Sequence, residues 1–564
     1  METMPDFKDI KYERPDFEAI SESFKSLRLK LMTAQDVNQA SDILMEYEKL
    51  IISFNTQYEL CNILHDLDTS DDFYSDELEF FDTASAELSE LSSAMLTVMV
   101  NCPCADALKM KFGDMIFRKA VNLKQTVSPE VIDDYAEESS LQNDYSQIKS
   151  EAEIEFDGKK LNLSQLAVYL ESNRRQVRIE AHKALDAYYM SQKETFDKIF
   201  DDMVRVRTKI AKKLGFESYT ELGYKIMERY DYNPVDVARF RDAVVKYIVP
   251  LTVQIRKLQQ ERLEVDELMF YDLPTLFKNG NPVPIVPGVS LGDVAGEFFA
   301  KIFGNRPSFL EVLSEHGFTD LITRENKATG GYCMFLDGYA IPFIFMNANG
   351  TADDVSTIIH EGGHAYAAVQ SADVSPFCEC LSPTLEACEI HSTAMEFMSY
   401  PYMEMFYGEK AEQYRELHMT QALLFLPYGC MVDEFQHIIY DQPDMTPAER
   451  HEVWKLLEEK YQPFIKYDES HEFHAMGGAW MKKDHIFTSP FYYIDYCLAH
   501  ICALQLWNLS REDMKTALIK YNKLCSLGGT ETLLKLLEKS ELESPFSVDV
   551  IKQVAFSCSE FLNL

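Results

Sequence analysis

A CxxC pair occurs nowhere in the 564 residues, and the twelve cysteines form only two CxC pairs, Cys102/Cys104 and Cys378/Cys380. That spacing offers little to a structural zinc built on cysteine, so the thiols read as reduced and mostly buried. Basic residues are in short supply. The 54 Lys and Arg against 92 Asp and Glu give a formal charge of -38, which repels a phosphate backbone and removes nucleic acid from the expected partners. Long apolar runs are missing too. The most apolar stretch, LLFLPYGCMV (Leu423 to Val432), is too short for a bilayer and has polar flanks, so no membrane span is expected. The first twenty residues mix charge signs without a basic start and an apolar run, so no secretory signal is read and a cytoplasmic location is expected. No P-loop, dinucleotide glycine fingerprint, internal repeat or low-complexity tract is present.

What is there is a chain of 46% hydrophobic and 12% aromatic residues, enough for one or two large cores. Its dominant period is helical, and the fold class expected is mainly α. From Ser164 to Phe216 apolar residues recur at three- and four-residue steps with charges between them, which predicts a pair of long amphipathic helices or one bent helix. Four prolines and two glycines between Tyr271 and Ser290 predict a loop. The acidic run Asp66 to Asp82 is interleaved with aromatics and reads as a solvated loop or a helix start. Short β-prone runs with turn signals at Gly330-Gly331 and Asp337-Gly338 predict a hairpin or small sheet over about 327–349, with Pro342 marking an exposed edge. We expect an N-terminal helical region over 1–150 and a catalytic region over 151–564.

The stretch DDVSTIIHEGGHAYAAV, Asp353 to Val369, carries the chemistry. Thr351 with Asp354 reads as a capping box, so a helix is expected over about 352–370. His360 and His364, four residues apart, then share a face and can reach one ion. A chance HExxH is expected only about 0.03 times in a chain with this histidine content. Gly362 and Gly363 each cost about 1 kcal/mol inside a helix, which implies a close approach to the backbone there, by a ligand or by another helix. A catalytic zinc takes three protein ligands and keeps one position open. The segment Ser382 to Met398, with Ser382 as N-cap and Pro383 at the first helical position, predicts a second helix bearing Glu386, Glu389 and Glu396. Glu389 and Glu396 project from nearly one face, so one can bind metal while the other hydrogen-bonds a ligand. His391 is a rival that points away from Glu389.

HEGGHAYA followed by EIHSTAMEF, and then HIFTSPFYYIDYCLAHICALQLW from His485 to Trp507, resembles the M3 zinc metallopeptidases, and within them the oligoendopeptidase F and Pz-peptidase subgroup. The likeness extends upstream through VRTKIAKKLGFESYTELGY and YIVPL and downstream to LCSLGGT, roughly residues 160 to 560. It implies a mostly α-helical ellipsoid with a deep channel, one zinc per chain on the channel floor, and short peptides as substrates. By match of position, His360, His364 and Glu389 are the implied metal ligands and Glu361 the implied general base. The family's downstream histidine and tyrosines fall on His485, Tyr492 and Tyr496. Many relatives carry an aliphatic residue followed by tyrosine where this chain has Tyr493-Ile494, which leaves Tyr492, Tyr493 and Tyr496 to be told apart. Several carry a larger residue in place of Gly362.

Zinc lowers the pKa of a bound water to about 7, and Glu361, next to a ligand, is placed to take its proton. The oxyanion formed on a peptide carbonyl needs further donors, for which the downstream histidine and tyrosines are suited; an aromatic core stripe is the plainer reading of Tyr492 and Tyr496. An extended peptide is held by strand addition, for which YAIPFIFMN is the expected edge. Two other functions compete with an oligoendopeptidase. A helical zinc metallocarboxypeptidase needs a cationic clamp for the terminal carboxylate, and a peptide-binding protein with structural zinc has no use for Glu361 and closes all four metal positions.

Overall fold

In a computed structural model, residues 4–468 and 470–564 are described. Helices dominate, and strands occur in two small sheets. The chain divides into two compact units that interleave along its length. The first comprises residues 1–127, 282–412 and 502–544, and the second 128–281, 413–501 and 545–564. The expected regions 1–150 and 151–564 divide the sequence, whereas each of these units draws on several stretches of it. Among the described residues no single helix is long and apolar enough to cross a membrane.

The first unit opens with three helices, Phe17–Met32, Val37–Leu67 and Asp72–Asn101. Their N-caps Asp16, Asp36 and Asp71 each accept backbone N–H groups of the first turn, which satisfies donors that the helix itself cannot. The acidic run is thus largely the start of the third helix. Phe24, Tyr47, Phe54 and Phe81 are buried among them with edge-on ring contacts.

The same unit holds a three-stranded sheet. Ile341–Ala348 lies in the middle, antiparallel to Tyr332–Leu336 and parallel to Thr319–Ile322. The hairpin turn is made by Asp337 to Ala340, where Ala340 takes φ 54°, and Gly330-Gly331 belongs to the connection before it. The expected exposed edge at Pro342 is corrected: Pro342 is buried in the central strand, paired with Phe335. Proline is tolerated because the parallel partner begins only at Ile344, so one side of Pro342 has no ladder to break. The edge strand nearest the motif is Tyr332–Leu336.

In the second unit, Leu163–Leu170 begins at a capping box of Asn162 and Gln165, and a 39-residue helix, Arg175–Lys213, follows. Arg207 of that helix is fully buried, yet it donates to Glu138, to the Tyr440 hydroxyl and to the carbonyls of Ile486 and Phe487. A guanidinium tolerates such burial only with its donors used. The proline-rich segment is irregular apart from two short 3-10 turns, Phe270–Asp272 and Gly288–Ser290.

Candidate active site

His360, Glu361 and His364 stand on the helix Asp353–Ser371. Its start differs from the expected capping box. The Asp354 carboxylate reaches back to accept the N–H groups of Asn349 and Gly350, the latter at 2.6 Å, while the Thr351 N–H donates to the Asn349 side-chain oxygen. The second helix is Leu385–Met398, with Thr384 at its N-cap position but no side-chain cap bond. It starts two residues later than Ser382 and Pro383 suggested.

Glycine sets the distance between these helices. A Cβ on Gly363 would lie 2.8 Å from the Ser392 Cα and 2.9 Å from the His391 carbonyl oxygen, so the two backbones meet where any side chain would separate them. On Gly362 it would lie 2.4 Å from the Phe299 ring. Helix packing, rather than a ligand, accounts for the cost of both glycines.

The approach brings Glu389 to the histidines. One ligand atom each from His360, His364 and Glu389 lies within 4.8 Å of the others, with His360 Nε2 3.4 Å from Glu389 Oε2. Two atoms bound tetrahedrally at about 2.0 to 2.1 Å from zinc stand about 3.4 Å apart, which the His360–Glu389 pair meets, and a set of two nitrogens and one oxygen suits that ion. Glu396 takes the other face of His360: its Oε1 lies 2.7 Å from Nδ1. This fixes which ring nitrogen turns to Glu389. The rings of His360 and His364 sit 4.9 Å apart at 80°. His391 is buried outside this group, with its carbonyl accepting from the Tyr521 hydroxyl.

Electrostatics separates the two histidines. Burial pushes His360 down, but hydrogen bonds to Glu389 and Glu396 outweigh it and hold its pKa well above the ordinary value. Burial, helped by the neighbouring His360, lowers His364 to about 4, which leaves a neutral imidazole fit for coordination. Glu361 is 7% exposed. Burial raises its pKa to about 7, with Glu389 and Glu396 adding to the rise and His360 opposing it. A carboxyl in that range can both take and return a proton near neutrality.

The downstream residues cluster in the second unit. His485 lies on the short helix Asp484–Thr488, and Tyr492 directly precedes the helix Tyr493–Cys525. Ring centroids are 5.8 Å apart for His485 and Tyr492, 5.9 Å for His485 and Tyr496, and 4.9 Å for Tyr492 and Tyr496. Tyr493 belongs to the same cluster, its ring 4.8 Å from His485 and 5.7 Å from Tyr496, but its hydroxyl is engaged elsewhere. It is buried, and its hydroxyl accepts from Lys483 Nζ at 3.0 Å, whereas Tyr492 and Tyr496 are half-buried. The turn before these tyrosines is pinned by groups that sequence reasoning missed. Arg229 donates to the Phe491 carbonyl and pairs with Asp495 at 2.8 Å, both side chains fully buried. Phe491, at φ 67°, donates its N–H to Gln436. Partners 55 positions apart for Gln436 and more than 200 for Arg229 leave no local spacing to read.

Comparison with known proteins finds relatives over most of the chain. Residues 168–556 match the family model described as Peptidase family M3, and residues 7–127 that of the Peptidase M3 N-terminal domain. The fold is similar to a structure of Pz peptidase A with an inhibitor, at 38% identity and a TM-score of 0.93 over 99% of both chains. It is similar also to a Bacillus anthracis protein described as an oligoendopeptidase F, at 36% identity and a TM-score of 0.89, over 100% of this chain and 99% of that one. Oligopeptidase PepF of Bacillus subtilis (strain 168) is 23% identical over 394 residues, a match spanning 68% of this chain and 56% of PepF.

Proposed function

Since the chain belongs to peptidase family M3, we propose that it is a zinc-dependent oligoendopeptidase, hydrolysing internal bonds of short peptides. The observation that carries this reading is the convergence of His360, His364 and Glu389 beside the buried Glu361. Zinc held by those three residues would polarise the scissile carbonyl and acidify water in the open position. Glu361 takes the proton of the attacking water and returns it to the amine nitrogen as the C–N bond breaks. Glu396 holds the His360 tautomer throughout.

The strand Tyr332–Leu336 receives the substrate backbone. Its outer edge has no ladder partner among the described residues, and its Cys333 is near enough to Glu361 for their charges to interact. His485, Tyr492 and Tyr496 donate hydrogen bonds to the oxyanion. Their family positions and their mutual clustering support this role.

The test is mass spectrometry of products from a decapeptide blocked at both ends, with and without a chelator. Internal cleavage that stops with the chelator is expected. A requirement for a free C-terminus would make the protein a carboxypeptidase, and chelator-insensitive cleavage would remove the metal from the reading. Rapid digestion of unfolded full-length casein would contradict the restriction to short peptides.

A further inference from the structure

Away from the histidines, the first unit gathers another set of ligand-type side chains that peptide hydrolysis does not use. Glu48, from the helix Val37–Leu67, meets Cys378 and Glu379 of the 3-10 turn Cys378–Cys380, with one ligand atom of each inside 4.8 Å. Glu48 is 2% exposed. Its Oε1 accepts the Cys378 N–H at 2.7 Å, while Oε2 is buried without a hydrogen-bond partner. A carboxylate oxygen buried this way carries its desolvation cost uncompensated. The Cys378 Sγ stands 3.6 Å from Glu379 Oε2 and 3.8 Å from Asn55 Nδ2. Asn55 also holds Asp337 of the hairpin turn, at 3.2 Å, and so adds a further carboxylate beside the thiol.

We propose that Glu48, Cys378 and Glu379 form a second metal site, for a divalent ion of the zinc class. A thiolate among the donors favours zinc over magnesium or calcium, which prefer oxygen alone. Three ionised ligands around a divalent cation leave one negative charge, and Lys119 acts electrostatically on Glu379 from close by. The ion would fasten an N-terminal helix to the turn that leads into the helix carrying Glu389. Its role is structural, and it adds to the one zinc of the histidine site.

The test uses the full chain with the histidine site removed by His360→Ala and His364→Ala, titrated with Co2+ alone. A sulfur-to-cobalt charge-transfer absorption at about one equivalent per chain is expected. Cys378→Ser should abolish that band, and Glu48→Gln, whose shape is conserved, should weaken binding about tenfold or more. Circular dichroism of each metal-free variant checks that it folds. If Cys378→Ser fails that check, Glu48→Gln alone decides the matter. Absence of the band, its persistence in Cys378→Ser, or unchanged affinity in Glu48→Gln would overturn the site and leave a cluster that only shares protons. Because the histidines are absent throughout, none of these results depends on the peptidase reading.

Discussion

The histidine site and the Glu48–Cys378–Glu379 cluster lie in the same unit and each gathers three ligand atoms within 4.8 Å, yet they are built differently. Two donors of the first share one helix, and the third comes from a helix drawn against it at Gly363. The donors of the second come from a helix and a turn 330 positions apart. Support differs as well. His360 has Glu396 locking its tautomer, whereas Glu48 has an oxygen with no hydrogen-bond partner. A preorganised site keeps its geometry without its ion and can serve chemistry, while one with an unsatisfied buried oxygen gains most from being filled.

Removing a donor from each should separate the two most sharply. Glu389→Ala is expected to lose the zinc of the histidine site and all measurable turnover while leaving the cobalt–thiolate absorption of the other cluster intact. Metal analysis and a peptide assay check this, and zinc retained with normal activity would hand the third position to Glu386 or Glu396. Next in size are the tyrosines. Tyr492→Phe and Tyr496→Phe should each lower kcat about 100-fold with little change in KM, since an oxyanion donor acts mainly in the transition state. Tyr493→Phe should leave kcat nearly untouched and cost about 1 kcal/mol of stability, because its hydroxyl is occupied by Lys483. A large kcat loss at Tyr493 alone would transfer the role to it.

A smaller effect is expected from Gly363→Ala, which forces the two helices apart. We expect about 1 to 3 kcal/mol of destabilisation, with weaker zinc binding at the histidines and unaltered cobalt binding at Glu48. Calorimetry and metal titration read both, and a fully stable variant with native zinc affinity would show that the helix contact does not set the site.

The smallest effect is on the pH dependence of stability. Glu59 accepts the Asp337 N–H, and burial, with Asp337 adding, raises its pKa from 4.5 to about 9. Between those values the folded chain binds a proton that the unfolded chain has lost, so stability falls as pH rises through this window. Glu59→Gln should shallow that fall in metal-free protein, as followed by urea unfolding at several pH values. An unchanged slope would mean that Glu59 is ionised in the fold.

Legibility in the sequence follows the same division. Helix content, the hairpin near 327–349 and the histidine pair all rest on periods of two to four residues, which local geometry fixes. The motif helix, expected over about 352–370, spans Asp353–Ser371. Features set by distant partners were beyond such reading. Pro342 suggested an edge because the parallel strand that stops short of it is unpredictable from the hairpin alone. Asp354 suggested a capping box, but its carboxylate serves Asn349 and Gly350 instead of Thr351. Cys378 read as an ordinary buried thiol because Glu48 cannot be associated with it by spacing.

The central claim is that Glu361 performs the proton transfer beside a metal held by other residues. Glu361→Gln keeps the side-chain shape and removes the base, so zinc content and turnover should be measured on the same preparation. Zinc should be bound as in the unaltered protein and kcat lowered about 100- to 10,000-fold. Turnover within tenfold of the unaltered protein, with zinc in place, would contradict it.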